Sequence, residues 1–329
     1  MIRKQNGFTL LEIFVALAIG LVLIGGVLSV FVGMKTTTQE TSSIGELQEN
    51  GRFAVTILTD DLLRQNFWGD LQLSFSSDVY SEADLPPVIG DCIGGGQNNS
   101  SFPQGNLFHF RTLWAANVTA ATILGGCINN AVPGSDVLQI KRVLARPILP
   151  GAIDNERYYL NAGYTQATLF PGSAAAIPFV SNNSRIWEYQ HHIYYIRNDR
   201  IGTTANFVPV LMQGRLQNTA TPISFNLLVE GIERVHYMFG VDTDGDDVIN
   251  GYMAPADMIG DYWDNTNNTK ILAVKFYVLV RSIRADPNYE NNNTYQMGGT
   301  VFNAGGDNFR RLLFSSTVTL YNQGITEWQ

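Results

Sequence analysis

The chain has 329 residues, a formal charge of -8, and a composition that is 45% hydrophobic and 15% charged. That length leaves room for a sizeable core in one large domain or two interlocked lobes. An acidic balance with no Lys/Arg stripe argues against nucleic acid as a partner.

In chain order, the first element is an apolar helix. Residues Ile13 to Met34 carry no formal charge and are rich in Leu, Ile and Val; at about 1.5 Å per residue they are long enough to cross a hydrocarbon core of about 30 Å. Arg3 and Lys4 precede the span, which places the N-terminus in the cytoplasm and exports the rest. Glu12 is out of place here, because a carboxylate in lipid needs a partner or a route to the interface. Two readings stay open. Glu12 can reach the headgroups from the first turns, or processing after Gly7 can expose the Phe8 amine for pairing with the Glu12 carboxylate of a neighbouring subunit. An ordinary secretory signal fits poorly, since the charge falls in its apolar region and no small-x-small cleavage site follows.

The helical pattern continues beyond the span. Ile44, Leu47, Val55, Leu58 and Leu62 recur near helical spacing, which predicts one helix to about Phe67. Gly20, Gly25, Gly26 and Gly33 within it are either close-packing points or places where it melts locally. From Asp70 to Ser135, Pro86-Pro87, Gly94-Gly95-Gly96 and paired asparagines predict connecting structure with short strands, one around Leu107 to Leu113. Cys92 and Cys127, the only cysteines, lie in this exported stretch, so a disulfide between them is expected; the chain-entropy argument assigns such a loop roughly 3 to 4 kcal/mol. Neither has the His/Cys neighbours of a zinc site.

Val137 to Val143 predicts a strand closed by Arg146-Pro147 and Leu149-Pro150, and 151–183 mostly loop with at most one short strand. Strands follow at Ile186 to Arg197, Phe225 to Val241 (divided at Gly231), Ile271 to Arg284 and Leu312 to Tyr321. The expected fold class is therefore α+β, a long N-terminal membrane-spanning helix packed against an antiparallel sheet. The expected divisions are a leader over 1–7, a transmembrane helix over 8–34, the exported half of that helix over 35–67, an irregular disulfide-bearing region over 68–184, and a β-rich domain over 185–329.

Gly7-Phe8-Thr9-Leu10-Leu11-Glu12 resembles the class III prepilin signal of type IV pilins and type II secretion pseudopilins. Leu47-Gln48-Glu49-Asn50-Gly51-Arg52-Phe53-Ala54, Asp60-Asp61-Leu62 and Phe67-Trp68-Gly69 resemble the PilW family of minor pilins. So do Leu228-Val229-Glu230-Gly231-Ile232-Glu233, then Tyr237 and Gly240-Val241-Asp242-Thr243-Asp244-Gly245-Asp246, together with Val274 to Ser282 and Arg310 to Leu320. The resemblance implies cleavage between Gly7 and Phe8 by a prepilin peptidase, methylation of Phe8, and a Glu12 to Phe8-amine pair that sets axial register. Loss of Arg3 and Lys4 with the leader would take the formal charge from -8 to -10. The implied partners are other minor pilins, the major pilin and the inner-membrane assembly machinery. The implied role is priming of a pilus at or near its tip, with a secretion pseudopilin, a tip adhesin or a DNA-contacting module as alternatives. The implied location is the inner membrane with a periplasmic domain, then the pilus on the cell surface.

Asp242-Thr243-Asp244-Gly245-Asp246-Asp247 places carboxylates at alternating positions in a turn, which suits the hard oxygen shell of calcium. Asp242, Asp244 and Asp246 are the first candidates and Asp247 and Asn250 weaker ones; an acidic solvent-facing turn is the competing reading. The loop departs from an EF-hand, with Asp247 at the turn-glycine position and Met253 at the twelfth. His191 and His192 are adjacent on a strand, hence on opposite faces, with one expected packed and the other exposed. No nucleophile elbow, phosphate loop or metalloprotease motif occurs, so a structural protein is favoured over an enzyme.

Overall fold

A computed structural model describes residues 7–72, 80–82, 85, 88–104, 109–200 and 207–323. Arg3, Lys4, Pro86, Pro87 and the start of the strand expected at Leu107 lie outside them. The chain separates into two units, Met1–Glu46 and Leu47–Gln329.

Helix α1, Leu10–Leu63, is the one helix among the described residues long and apolar enough to cross a membrane. It runs without a break through Gly20, Gly25, Gly26 and Gly33. In the first unit its large apolar side chains from Leu10 to Met34 are exposed, as expected of a surface made for lipid or neighbouring helices. Its hydroxyls turn back on the helix: Ser29 donates to the Gly26 carbonyl, Thr37 to Gly33, Thr38 to Met34 and Thr41 to Thr37. Such bonds satisfy polar groups without water. Ile44, counted in the apolar stripe above, is exposed.

In the second unit the helix buries Leu47, Gly51, Ala54, Leu58, Asp61 and Leu62, and the turn after it buries Gln65. The helix stops at Leu63, short of Phe67, because Asn66 takes a left-handed φ of 57° that ends the turn. The strands are β1 Tyr80–Glu82, β2 Leu113–Asn117, β3 Asp136–Ile148, β4 Tyr158–Ala162, β5 Ala167–Pro171, β6 Arg185–Arg200 and β7 Phe207–Leu216. They continue with β8 Ile223–Glu230, β9 Ile232–Asp242 and β10 Gly251–Met253. After a short helix α2, Gly260–Asp264, come β11 Lys270–Arg281, β12 Thr294–Met297, β13 Thr300–Asn303 and β14 Arg311–Thr319.

Strands β1 to β8 make one sheet centred on β6, which pairs with β3 along one edge and with β4 and then β7 along the other. All its pairings are antiparallel except β1 with β5. A second sheet has the order β10-β9-β11-β14, and β12 with β13 forms a separate hairpin. The chain passes between sheets at Gly231, whose φ of 77° allows the turn that ends β8 and starts β9. Ser135 and Asp136 join the sheets on the far side: Ser135 Oγ both donates to the Val235 carbonyl and accepts from Val235 N, and Asp136 accepts from Tyr237 N.

Three expectations need correction. A boundary at residue 184 falls inside one sheet, because β3 and β4 both pair with β6. Residues 151–183 hold two strands, β4 and β5, with buried residues throughout β4 and most of β5; Asn161 and Thr168 interrupt the apolar run that would have announced them. Strand β3 runs past Arg146-Pro147, since the register shifts between Val143 and Pro147 and a bulge can hold a proline.

Candidate functional site

Gly7 and Phe8 are exposed ahead of the first helical turn, as a processed bond requires. The backbone N–H and hydroxyl of Thr9 both donate to Glu12 Oε2 at 2.9 Å, and Glu12 N donates to Thr9 Oγ at 3.3 Å. This is a capping box, in which Thr9 and Glu12 satisfy each other's end of the helix. It holds the carboxylate at the first turn, beside the residue whose amine cleavage would free. Both contacts use Oε2, and a carboxylate can accept further donors through its other oxygen. The Thr-x-x-Glu spacing is itself a signature of this motif; the reading of Glu12 as a membrane liability passed over it.

Past the membrane segment, Asp61 ties the helix to the large sheet. Arg142 Nε of β3 donates to Asp61 Oδ1 at 2.6 Å. His192 Nδ1 and Tyr194 OH of β6 lie 2.7 and 2.8 Å from Oδ2, and Gln213 of β7 donates to the Tyr194 hydroxyl at 2.8 Å. Burial pushes the Asp61 carboxyl up, but His192, Arg142 and Tyr194 outweigh it and hold it far below the usual carboxylate range. Gln65 reaches Thr112 Oγ at 2.7 Å, and Asn50 donates to the Glu230 carbonyl at 3.2 Å. A carboxylate spaced between Leu58 and Leu62 on an apolar stripe was the available signal for this network.

His191 and His192 do point to opposite faces, yet both are buried. The sheet is covered twice: α1 lies over the His192 face, and the segment carrying Ser101 lies over the His191 face, where Ser101 Oγ sits 2.9 Å from His191 Nδ1. That segment is closed by the expected Cys92 to Cys127 disulfide, with Cα atoms 5.1 Å apart. Gln139 of β3 donates to the Cys92 carbonyl at 2.7 Å, fixing it to the sheet.

The acidic loop follows β9. One carboxylate oxygen from each of Asp242, Asp244 and Asp246 lies within 4.8 Å of the others. Asp242 is buried and accepts backbone N–H groups from Asp244 at 3.1 Å, Gly245 at 2.8 Å and Asp247 at 2.8 Å. Burial pushes its carboxyl up, but the donors from Gly245, Asp247 and Asp244 prevail and set it below the usual range. Asp244 moves the other way, raised by partial desolvation and then by the charge of Asp246. Asp247 pairs with Lys270 at 2.9 Å, and Asn250 Oδ1 accepts from Thr243 N at 2.6 Å. The two weaker candidates thus have other partners, while the first three converge.

An apolar helix long enough to cross a membrane, opening on a capped glutamate and followed by a large β-domain, is the arrangement that the prepilin resemblance implies. Comparison with protein families agrees, with the prokaryotic N-terminal methylation motif matching residues 2–28. Residues 193–322, from β6 to the end of the second sheet, match the family PilW, type IV pilus-assembly protein W. No curated protein and no solved structure matched the chain.

Proposed function

We propose that this protein is a minor pilin that primes type IV pilus assembly from the inner membrane and then sits at or near the pilus tip, its domain moving from the periplasm to the cell surface. The observation that carries the reading is the conjunction, in one chain, of the methylation motif and the PilW match. Prepilin peptidase frees the Phe8 amine. The Glu12 carboxylate, already held at the helix start by Thr9, pairs with the amine of an adjacent pilin, and the membrane helices pack to form a starting complex. Other minor pilins, the major pilin and the inner-membrane assembly machinery are its partners; association, with no chemistry on a substrate, is its work. A gene deletion should reduce surface pili, and Glu12→Ala should leave the protein in the membrane without restoring them. Unchanged piliation in the deletion strain would refute the reading, and loss of a secretion activity in its place would favour a type II pseudopilin. Normal pili with lost adhesion or DNA uptake would favour the tip adhesin or DNA-contacting alternative.

A second reading concerns the acidic loop, where the convergence of Asp242, Asp244 and Asp246 favours calcium. Calorimetry should show calcium binding that Asp244→Ala abolishes; no heat with the intact protein would remove it.

A further inference from the structure

The His191 face of the large sheet holds a second buried polar cluster that pilus assembly does not use. Lys141 of β3 and His191 of β6 are direct cross-strand partners, so their side chains stand together on one face. Lys141 is fully buried, as are His191 and Ser101, and Asn99 is 1% exposed. Lys141 Nζ donates to Asn99 Oδ1 at 2.7 Å and to the Arg111 carbonyl at 2.9 Å, and lies 4.9 Å from the centre of the Phe110 ring. Both hydrogen-bond acceptors are neutral. An ammonium so placed is costly, and burial lowers the Lys141 pKa to about 7, so the nucleophilic free amine is well populated at neutral pH.

The neighbouring imidazole is set up as a base. Ser101 spends its single hydroxyl proton on Asp91 Oδ1 at 2.6 Å, so its oxygen accepts from His191 Nδ1–H. In the neutral ring this leaves a lone pair on Nε2, which has no hydrogen-bond partner among the described residues. Burial, then the charges of Lys141 and His192, keep His191 well below its ordinary pKa and hence neutral. The Asn99 amide is held as well, its Nδ2 donating to the Gly95 carbonyl at 3.0 Å.

We propose that Lys141 and Asn99 condense within the folded chain into an isopeptide bond, Lys141 Nζ replacing the Asn99 amide nitrogen, which leaves as ammonia. The Nζ lone pair attacks Asn99 Cγ and the carbonyl electron pair moves onto Oδ1. His191 Nε2 takes the proton from the attacking nitrogen and returns it to Nδ2; the carbonyl re-forms as the old C–N bond breaks. One C–N bond forms, one breaks, and nothing is oxidised or reduced. The product removes the buried charge and ties residues 42 positions apart, across a loop that overlaps the 35-residue disulfide loop. Unlike the disulfide, it is indifferent to thiols.

Intact-mass spectrometry of the full chain purified in detergent tests this without any variant. The expected result is a mass one ammonia below that of the disulfide-bonded sequence, unchanged in that deficit after thiol reduction, with a branched proteolytic peptide joining the segments of Asn99 and Lys141. Asn99→Ala and Lys141→Met should each restore the full mass. Full mass in the wild-type protein, with both residues in separate linear peptides, would overturn the proposal. So would loss of ammonia confined to a linear peptide, which marks an Asn99 succinimide.

Discussion

Replacing Asp61 by alanine removes one carboxylate and strands three partners. Arg142, His192 and Tyr194 all meet it at 2.6 to 2.8 Å, and the Arg142 and Asp61 side chains are each only 5% exposed. Breaking a buried pair by deleting one member costs roughly 3 to 5 kcal/mol, because the remaining charge is left without compensation. For a protein of this size that lowers Tm by roughly 6 to 20 °C, at about 2 to 4 °C per kcal/mol. Tryptophan fluorescence during thermal and urea unfolding of the full chain in detergent measures it. Asp61→Ala with Arg142→Met should recover much of the loss, since an apolar pair tolerates the burial that a lone guanidinium does not. The pH dependence has a definite sign. The Asp61 carboxyl is depressed in the folded state, so its contribution is fully present above the unfolded value near 4 and is lost as pH falls below it toward the folded value. Asp61→Asn should therefore flatten the acid limb of stability against pH. A loss under about 1 kcal/mol for Asp61→Ala, or an unchanged acid limb for Asp61→Asn, would refute the reasoning.

Removal of the disulfide by Cys92→Ser with Cys127→Ser should cost roughly 3 to 4 kcal/mol in urea unfolding, from the loop it closes. Gly51 faces the ring of Phe314, which occupies the space a Cβ would need; Gly51→Val should cost about 1 to 3 kcal/mol, with relief on adding Phe314→Ala. Asn99→Ala leaves Lys141 as an amine whose folded pKa, about 7, lies below the unfolded value of about 10.4. The unfolded state then binds more protons between them, so stability should rise with pH from about 7 by up to about 1.4 kcal/mol per pH unit. Asn99→Ala with Lys141→Met should lack that slope, and equal slopes in the two variants would refute the assignment of a buried free amine.

The second half of the domain was legible because its strands carry strong signals. Ile186 to Arg197 and Ile271 to Arg284 are apolar and β-branched runs, and they appear as β6 and β11 with ends within a few residues. Gly231 likewise announced the switch from β8 to β9. The middle was not legible. Strands β4 and β5 are five residues each, too short for periodicity to separate from loop; β4 is held by β6, which follows it across an intervening strand and loop, and β5 is held in turn by β4. Lys141 shows the same limit at the level of a side chain. A lysine in Val137 to Val143 reads as the solvent-facing position of a strand, and only the disulfide-bearing segment folding over that face buries it. The expectation that one of His191 and His192 is exposed failed for this reason: alternation gives the face of a residue, while coverage of both faces is a tertiary fact.

The polar groups between helix and sheets settle a question that the apolar ones leave open. Leu47, Ala54, Leu58 and Leu62 form a smooth stripe, and a stripe of that kind packs nearly as well after sliding by a turn along its sheet. Asp61 has no such freedom, because a shift of one turn, about 5.4 Å, would leave Arg142 unpaired in the interior. Gly51 adds a steric lock against Phe314, and Asn50 a bond to the Glu230 carbonyl where β8 hands over to β9. The three sites touch both sheets, so they fix the register of the helix against the whole domain, which apolar burial alone would only hold in place. The double variant Asp61→Ala, Arg142→Met should thus keep most of its stability yet broaden the distances measured between spin labels on the helix and on β14. Unbroadened distances would mean that the apolar stripe sets the register unaided.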